Sequence, residues 1–151
     1  MCVPEFLWCE MYRGNIGTSN SSGCMLPFDG MYDCICLQIE PYLYYLQYLT
    51  YRELNQEPKP LETSKKLSKF TEIMKSARFK SSKGEAFVSC GHLDTSLNML
   101  GHCYELEQKW ESARKSYETS LRMQPQRNAA VLHITRLQTT LPQTRRNTDG
   151  D

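Results

Sequence analysis

A chain of 151 residues, 40% apolar and 23% charged, fits one domain able to bury a modest core, and a net charge of +1 excludes a strongly polyanion-seeking composition. The most apolar segment, Ile35 to Leu49, is interrupted by Gln38, Glu40, Pro41 and Gln47 and is too short for a bilayer span. The seven cysteines are an odd set, and the opening MCVPEFLWCEMYRG lacks the basic-then-apolar pattern of a secretory signal, so free thiols in an intracellular, cytoplasmic protein are the expectation.

Residues 1–40 read as an irregular leader. Gly14, Gly17, Gly23, Gly30 and the TSNSSG run give no sustained period, although Phe6, Leu7 and Trp8 are able to dock locally. Asn20-Ser21-Ser22 fits a glycosylation acceptor, a triplet common by chance and out of place in an intracellular chain. Pro41 suits a first helical turn, so PYLYYLQYLTYREL (41–54) reads as a helix that is apolar nearly all round, with a strand left open by its tyrosines. Pro58 and Pro60 stop it.

A second helix is predicted from about Leu61 to Arg78, with Leu67, Phe70, Ile73, Met74 and Ala77 forming one stripe. Residues 80–91, with Gly84 and Gly91, read as a linker. A third helix starts near Asp94 or Thr95, either of which can cap it, and runs through Leu97, Leu100, Cys103, Tyr104 and Leu106. After a turn near Glu107 to Lys109, a fourth helix spans Trp110 to about Met123 with Ala113, Tyr117, Ser120 and Leu121 inward. Asn128 can cap a fifth, AAVLHITRLQTTL, with Ala130, Val131, Ile134 and Leu137 apolar. The helical domain is thus residues 41–141, and 142–151 form a polar, disordered tail.

The stretch Leu97 to Pro125 carries a pattern: Leu97, Leu100-Gly101, Tyr104, Ala113, Tyr117 and Pro125, with Trp110 opening the second helix and small Ser120 further on. It resembles a tetratricopeptide repeat (TPR), a hairpin of about 34 residues. Gly101 and Ala113 are small, so two antiparallel helices can approach; Tyr104 and Tyr117 fill the space beside them. The flanks match loosely. Residues 41–77 resemble a degenerate hairpin, since Pro58 and Pro60 interrupt it and Tyr51 and Tyr104 lie more than one repeat apart. The segment after Pro125 lacks a Leu-Gly pair and suits a capping helix.

The resemblance implies an all-α fold, a short antiparallel helical-hairpin array. It also implies a protein-binding adaptor or assembly subunit whose first helices line a groove. One or two hairpins rarely suffice alone, which implies self-association, docking on a larger assembly, or a longer array. Helix spacing puts Thr95, Asn98, His102 and Glu105 on the face away from Leu100 and Tyr104. These are the groove candidates, with Tyr45, Leu49 and Arg52 upstream and Leu132 and Arg136 downstream. Asn98 fits a chaperone-tail clamp, but His102 and Glu105 do not supply its cations, so that ligand is not expected.

Three rival readings compete with this one. Cys34-Ile-Cys36, Cys90-Gly-His92 and His102-Cys103 have one-residue gaps or none, atypical of zinc sites, so no metal or cofactor is expected. Lys59 to Lys83 holds eight basic residues against Glu62 and Glu72; a basic-helix nucleic-acid-binding accessory protein is the alternative function, against which stand the absent arginine-rich or aromatic-interleaved motif and a pI near 7.6. No phosphate loop, zinc-protease or serine-hydrolase motif occurs, and His92, His102 and His133 lack companions, so no enzyme is expected.

Overall fold

The computed structural model describes residues 4–11, 13, 38–81 and 92–140, with the side chains of 77–81 and 140 left aside. All regular structure among them is helical. A 3-10 turn at Glu5–Leu7 runs into the short α1 (Trp8–Met11). The long helices follow: α2 (Ile39–Glu53), α3 (Lys59–Ser81), α4 (Leu93–Leu106), α5 (Trp110–Met123) and α6 (Ala130–Thr140). Each long helix packs on the next in sequence, and α2 also packs on α4. The core gathers Tyr45 and Tyr48 of α2, Leu67 of α3, Met99, Leu100 and Cys103 of α4, Ala113 and Tyr117 of α5, and Ala130 and Leu137 of α6.

The tyrosine-rich segment is helix, not strand. Pro41 sits in its first turn, where a missing N–H leaves no bond unmade. Pro60 behaves alike. Instead of holding the next helix off until Leu61, it occupies the second position of α3.

Helix α3 keeps Leu67 of the predicted stripe in the core and Phe70 and Met74 half-buried, but the inward face is rotated away from Ile73 toward the hydroxyl residues. Thr63, Ser64, Leu67 and Thr71 are buried, whereas Ile73 is 56% exposed. Hydroxyls can face a core when they bond their own helix. Thr63 donates to the Lys59 carbonyl (2.8 Å), Ser64 to Leu61 (3.1 Å) and Thr71 to Ser68 (2.8 Å).

The two hairpins, α2–α3 and α4–α5, begin alike. Helix α2 ends with Asn55 left-handed (φ 50°) and α4 with Gln108 left-handed (φ 58°). In each case the following N–H reaches back past the turn, Gln56 to the Tyr51 carbonyl (2.9 Å) and Lys109 to Tyr104 (2.8 Å). A lysine ammonium then lies over the same tyrosine, Lys59 over Tyr51 at 5.3 Å and Lys109 over Tyr104 at 6.0 Å.

Helix α4 is enclosed. Every residue from Leu93 to Gly101 is buried, as is Cys103. A helix packed on one face buries only that face; α4 has α5 on one side, α2 and α3 on another, and the segment around α1 on a third. This last cover departs from the leader reading, since residues 5–11 are helical and α2 already includes Ile39 and Glu40. The rest of the leader, the linker at 82–91, the tail, the Asn20 triplet and Cys24, Cys34, Cys36 and Cys90 lie outside the described residues.

Candidate peptide-binding groove

Helices α2, α4 and α6 converge on one surface, and the segment Pro4–Arg13 lies on it. Phe6 is the anchor. Its buried ring stacks between His102 of α4 (centroids 4.2 Å apart, planes 4°) and His133 of α6 (4.1 Å, 15°). Tyr45 of α2 tilts against it at 6.1 Å, and the Arg136 guanidinium lies 5.7 Å from its centroid. Burying a phenylalanine to this degree contributes about 2–3 kcal/mol, and offset ring contacts add to it.

His102 is held neutral. Burial, helped by Arg136, His133 and Arg52, pushes its pKa down to about 3. The Tyr45 hydroxyl, itself kept protonated by burial, shares a hydrogen bond with His102 Nδ1 at 2.7 Å.

Glu10 is the second contact, with 1% of its surface exposed. Its Oε2 accepts from the Thr95 hydroxyl (2.9 Å) and its Oε1 from the Asn98 amide (2.6 Å), while Arg13 Nη1 lies 3.8 Å and His133 Nε2 3.6 Å away. Without such partners a buried carboxylate would cost several kcal/mol. Arg13 is the third. Its guanidinium donates to the Asp94 carboxylate, to His92 Nδ1 and to Thr95 Oγ1 (3.3 Å). Asp94 and Thr95 are therefore spent on the segment and do not cap α4, whose N-cap position is His92 with no side-chain cap bond.

The predicted groove residues are thus together on one surface, but Thr95 and Asn98 are 0% exposed because the chain's own segment covers them. Glu105 is held by neighbours, accepting from the Tyr117 hydroxyl (2.7 Å) and from Arg136 Nη2 (2.8 and 3.1 Å). Tyr45 is buried against His102 rather than lining open surface. Leu49 is half-buried, and Arg52 donates to the Leu106 carbonyl at the end of α4 (2.9 Å). Leu132 stays exposed at the rim.

The residues of the hairpin pattern divide by role. Leu97, Leu100, Gly101, Ala113 and Tyr117 are buried. Tyr104 is half-buried, its hydroxyl 3.5 Å from Ser68 Oγ. Pro125 is exposed just past α5.

Four residues of this contact were not legible as such: Glu10 and Arg13 of the segment, and His133 and Asn128 of the surface it covers. Phe6, Leu7, Glu10 and Arg13 do recur at three- and four-residue spacings, the signal of a one-sided helical turn, but the turn is too short to stand out. Asn128 caps α6, accepting from the Ala130 N–H (2.9 Å), as its position suggested. It also accepts from the Asn98 amide (3.1 Å) and donates to Ser120 Oγ and the Gln124 carbonyl (3.0 Å each).

Comparison of the chain with protein-family models, curated proteins and solved structures finds no match. Among the described residues, no three histidine, cysteine or acidic side chains come together to hold a metal, and no helix is long and apolar enough to cross a membrane. Cys103 is buried and Cys9 half-buried, both free, and burial raises the pKa of each thiol. Lys65, Lys66 and Lys69 are exposed on α3.

Proposed function

We propose that this protein is a TPR-like interaction module, an adaptor or assembly subunit that receives a short segment of another protein on the surface of α2, α4 and α6. The observation that carries this reading is the seating of Pro4–Arg13 there, with an aromatic ring between His102 and His133 and a carboxylate on Thr95 and Asn98. Support for the repeat comes from the matching ends of α2 and α4. A photo-crosslinking residue placed at the rim, Leu132, should trap a partner in cells, and the same residue at Lys115 on α5 should not. Identical adducts from both positions, or none from Leu132, would refute the reading.

A second reading, nucleic-acid binding, rests on the exposed Lys65, Lys66 and Lys69 of α3. It requires salt-sensitive RNA or DNA binding that charge reversal at these three positions abolishes.

A further inference from the structure

We infer that the groove recognises a short helical peptide bearing an aromatic residue, a carboxylate four residues later and an arginine three residues after that, and that Pro4–Arg13 occupies it as an internal competitor. The inference rests on the reading of the groove as a protein-binding surface and specifies its ligand.

The segment engages like a ligand, from one side. Phe6, Leu7, Glu10 and Arg13 are buried, while Trp8 on the opposite side is 57% exposed. Each buried polar group meets its complement on the receiving helix. The acid faces the hydroxyl and amide of Thr95 and Asn98, and the base faces Asp94, so charge as well as shape sets the register. A reversed peptide would place its arginine between His102 and His133, where Phe6 sits, and its aromatic ring against the Asp94 carboxylate.

The fit is incomplete. Asn98 Oδ1 and His133 Nε2, both buried beside Glu10, meet no hydrogen-bond partner among the described residues. A buried polar atom left unpaired weakens a complex. A partner carrying the same aromatic, acid and base, with a donor for Asn98 Oδ1, would therefore displace the internal segment.

The test uses the full chain with a protease site inserted between Ser21 and Ser22. After cleavage the helical circular-dichroism signal should persist. A fluorescein-labelled peptide of residues 4–13, with Cys9→Ser, should then exchange into the groove with a rise in anisotropy. Peptides carrying Phe6→Ala or Glu10→Gln should bind about tenfold or more weakly, and the uncut chain should bind the parent peptide far less than the cut one. Unfolding on cleavage, or no exchange in a folded cut chain, overturns the inference by showing the segment to be an integral part of the core. Equal binding of a scrambled peptide overturns the recognition pattern while leaving the groove a protein-binding surface. Failure of the Leu132 crosslink together with sequence-selective exchange would instead count against the proposed cellular role alone.

Discussion

Replacing Gly101 by alanine tests the close approach of α4 to α5. In an isolated helix the change would stabilise by about 1 kcal/mol, because glycine is the poorer helix former. Here an added Cβ would lie 2.5 Å from Tyr117 Cε1, 2.7 Å from Cζ and 2.9 Å from Cδ1. The ring cannot simply swing aside. It is fully buried, His133 packs 5.2 Å from its centroid, and its hydroxyl is tied to Glu105 at 2.7 Å. Overpacking of this kind costs about 1–3 kcal/mol, and loss of the Tyr117–Glu105 bond adds about 1 kcal/mol. The clash outweighs the helix-propensity gain, so the net expectation is a loss of about 1–3 kcal/mol. At about 3 °C per kcal/mol for a chain of this size, Tm should fall by about 3–9 °C. Urea unfolding with an unchanged m-value is the assay. In a Tyr117→Leu background the same substitution should cost little or become favourable, giving a coupling energy comparable to the single-mutant loss. A Gly101→Ala protein as stable as wild type or more so, or one whose cost is unaffected by Tyr117→Leu, would refute the argument that this pair sets the spacing of α4 and α5.

Two further outcomes are expected. Asn128→Ala removes the α6 cap, worth about 1 kcal/mol, and takes one hydrogen bond each from the buried Asn98 amide and Ser120 hydroxyl, which keep Glu10 and the Asp94 carbonyl, at about 1 kcal/mol each, so urea unfolding should show a loss of about 2–3 kcal/mol; Asn128→Asp, which keeps the acceptor for Ala130, should lose less. Stability should also fall with acid through His102: its folded pKa of about 3 lies below the ordinary value near 6.5, so between these limits the unfolded chain binds the extra proton, and the contribution lost is about 2 kcal/mol by pH 5. His102→Gln should flatten the pH slope of the urea midpoint between pH 7 and 5, and an unaltered slope would show that His102 is not its source.

The long helices were legible because their signals are local. Trp110 to Met123 has a regular inward row, Ala113, Tyr117 and Ser120, and its end is marked by Pro125. Asn128 announced α6 by the chemistry of a cap. The inward face of α3 was legible only in part: Leu67, Phe70 and Met74 are inward or half-buried as spacing suggested, but apolar spacing favoured Ile73 over Thr71. What reversed the choice is that Thr63, Ser64 and Thr71 satisfy their hydroxyls on their own helix and then pack as small side chains. Helical spacing did assemble the groove candidates, from Thr95 through Glu105, into one row. It could not reveal that the row is occupied, because the occupant lies more than 80 residues away in sequence, with Glu10 reaching Thr95 across a separation of 85. Capping chemistry misled at Asp94 and Thr95 for the same reason: both have the right side chains for a cap, and both are claimed by a distant charge.

The stacking of Phe6 between His102 and His133 has a consequence for the order of synthesis. Phe6 is synthesised about 130 residues before the second of its two flanking imidazoles exists. At about 5–20 residues per second, on the order of ten seconds separate the two events. During that interval α2 to α5 can form and pair with their neighbours in turn, whereas the Glu5–Met11 segment has nowhere complete to go. The earliest part of this sequence to be translated is thus the last to find its place, and for those seconds its apolar side is open to whatever else is nearby.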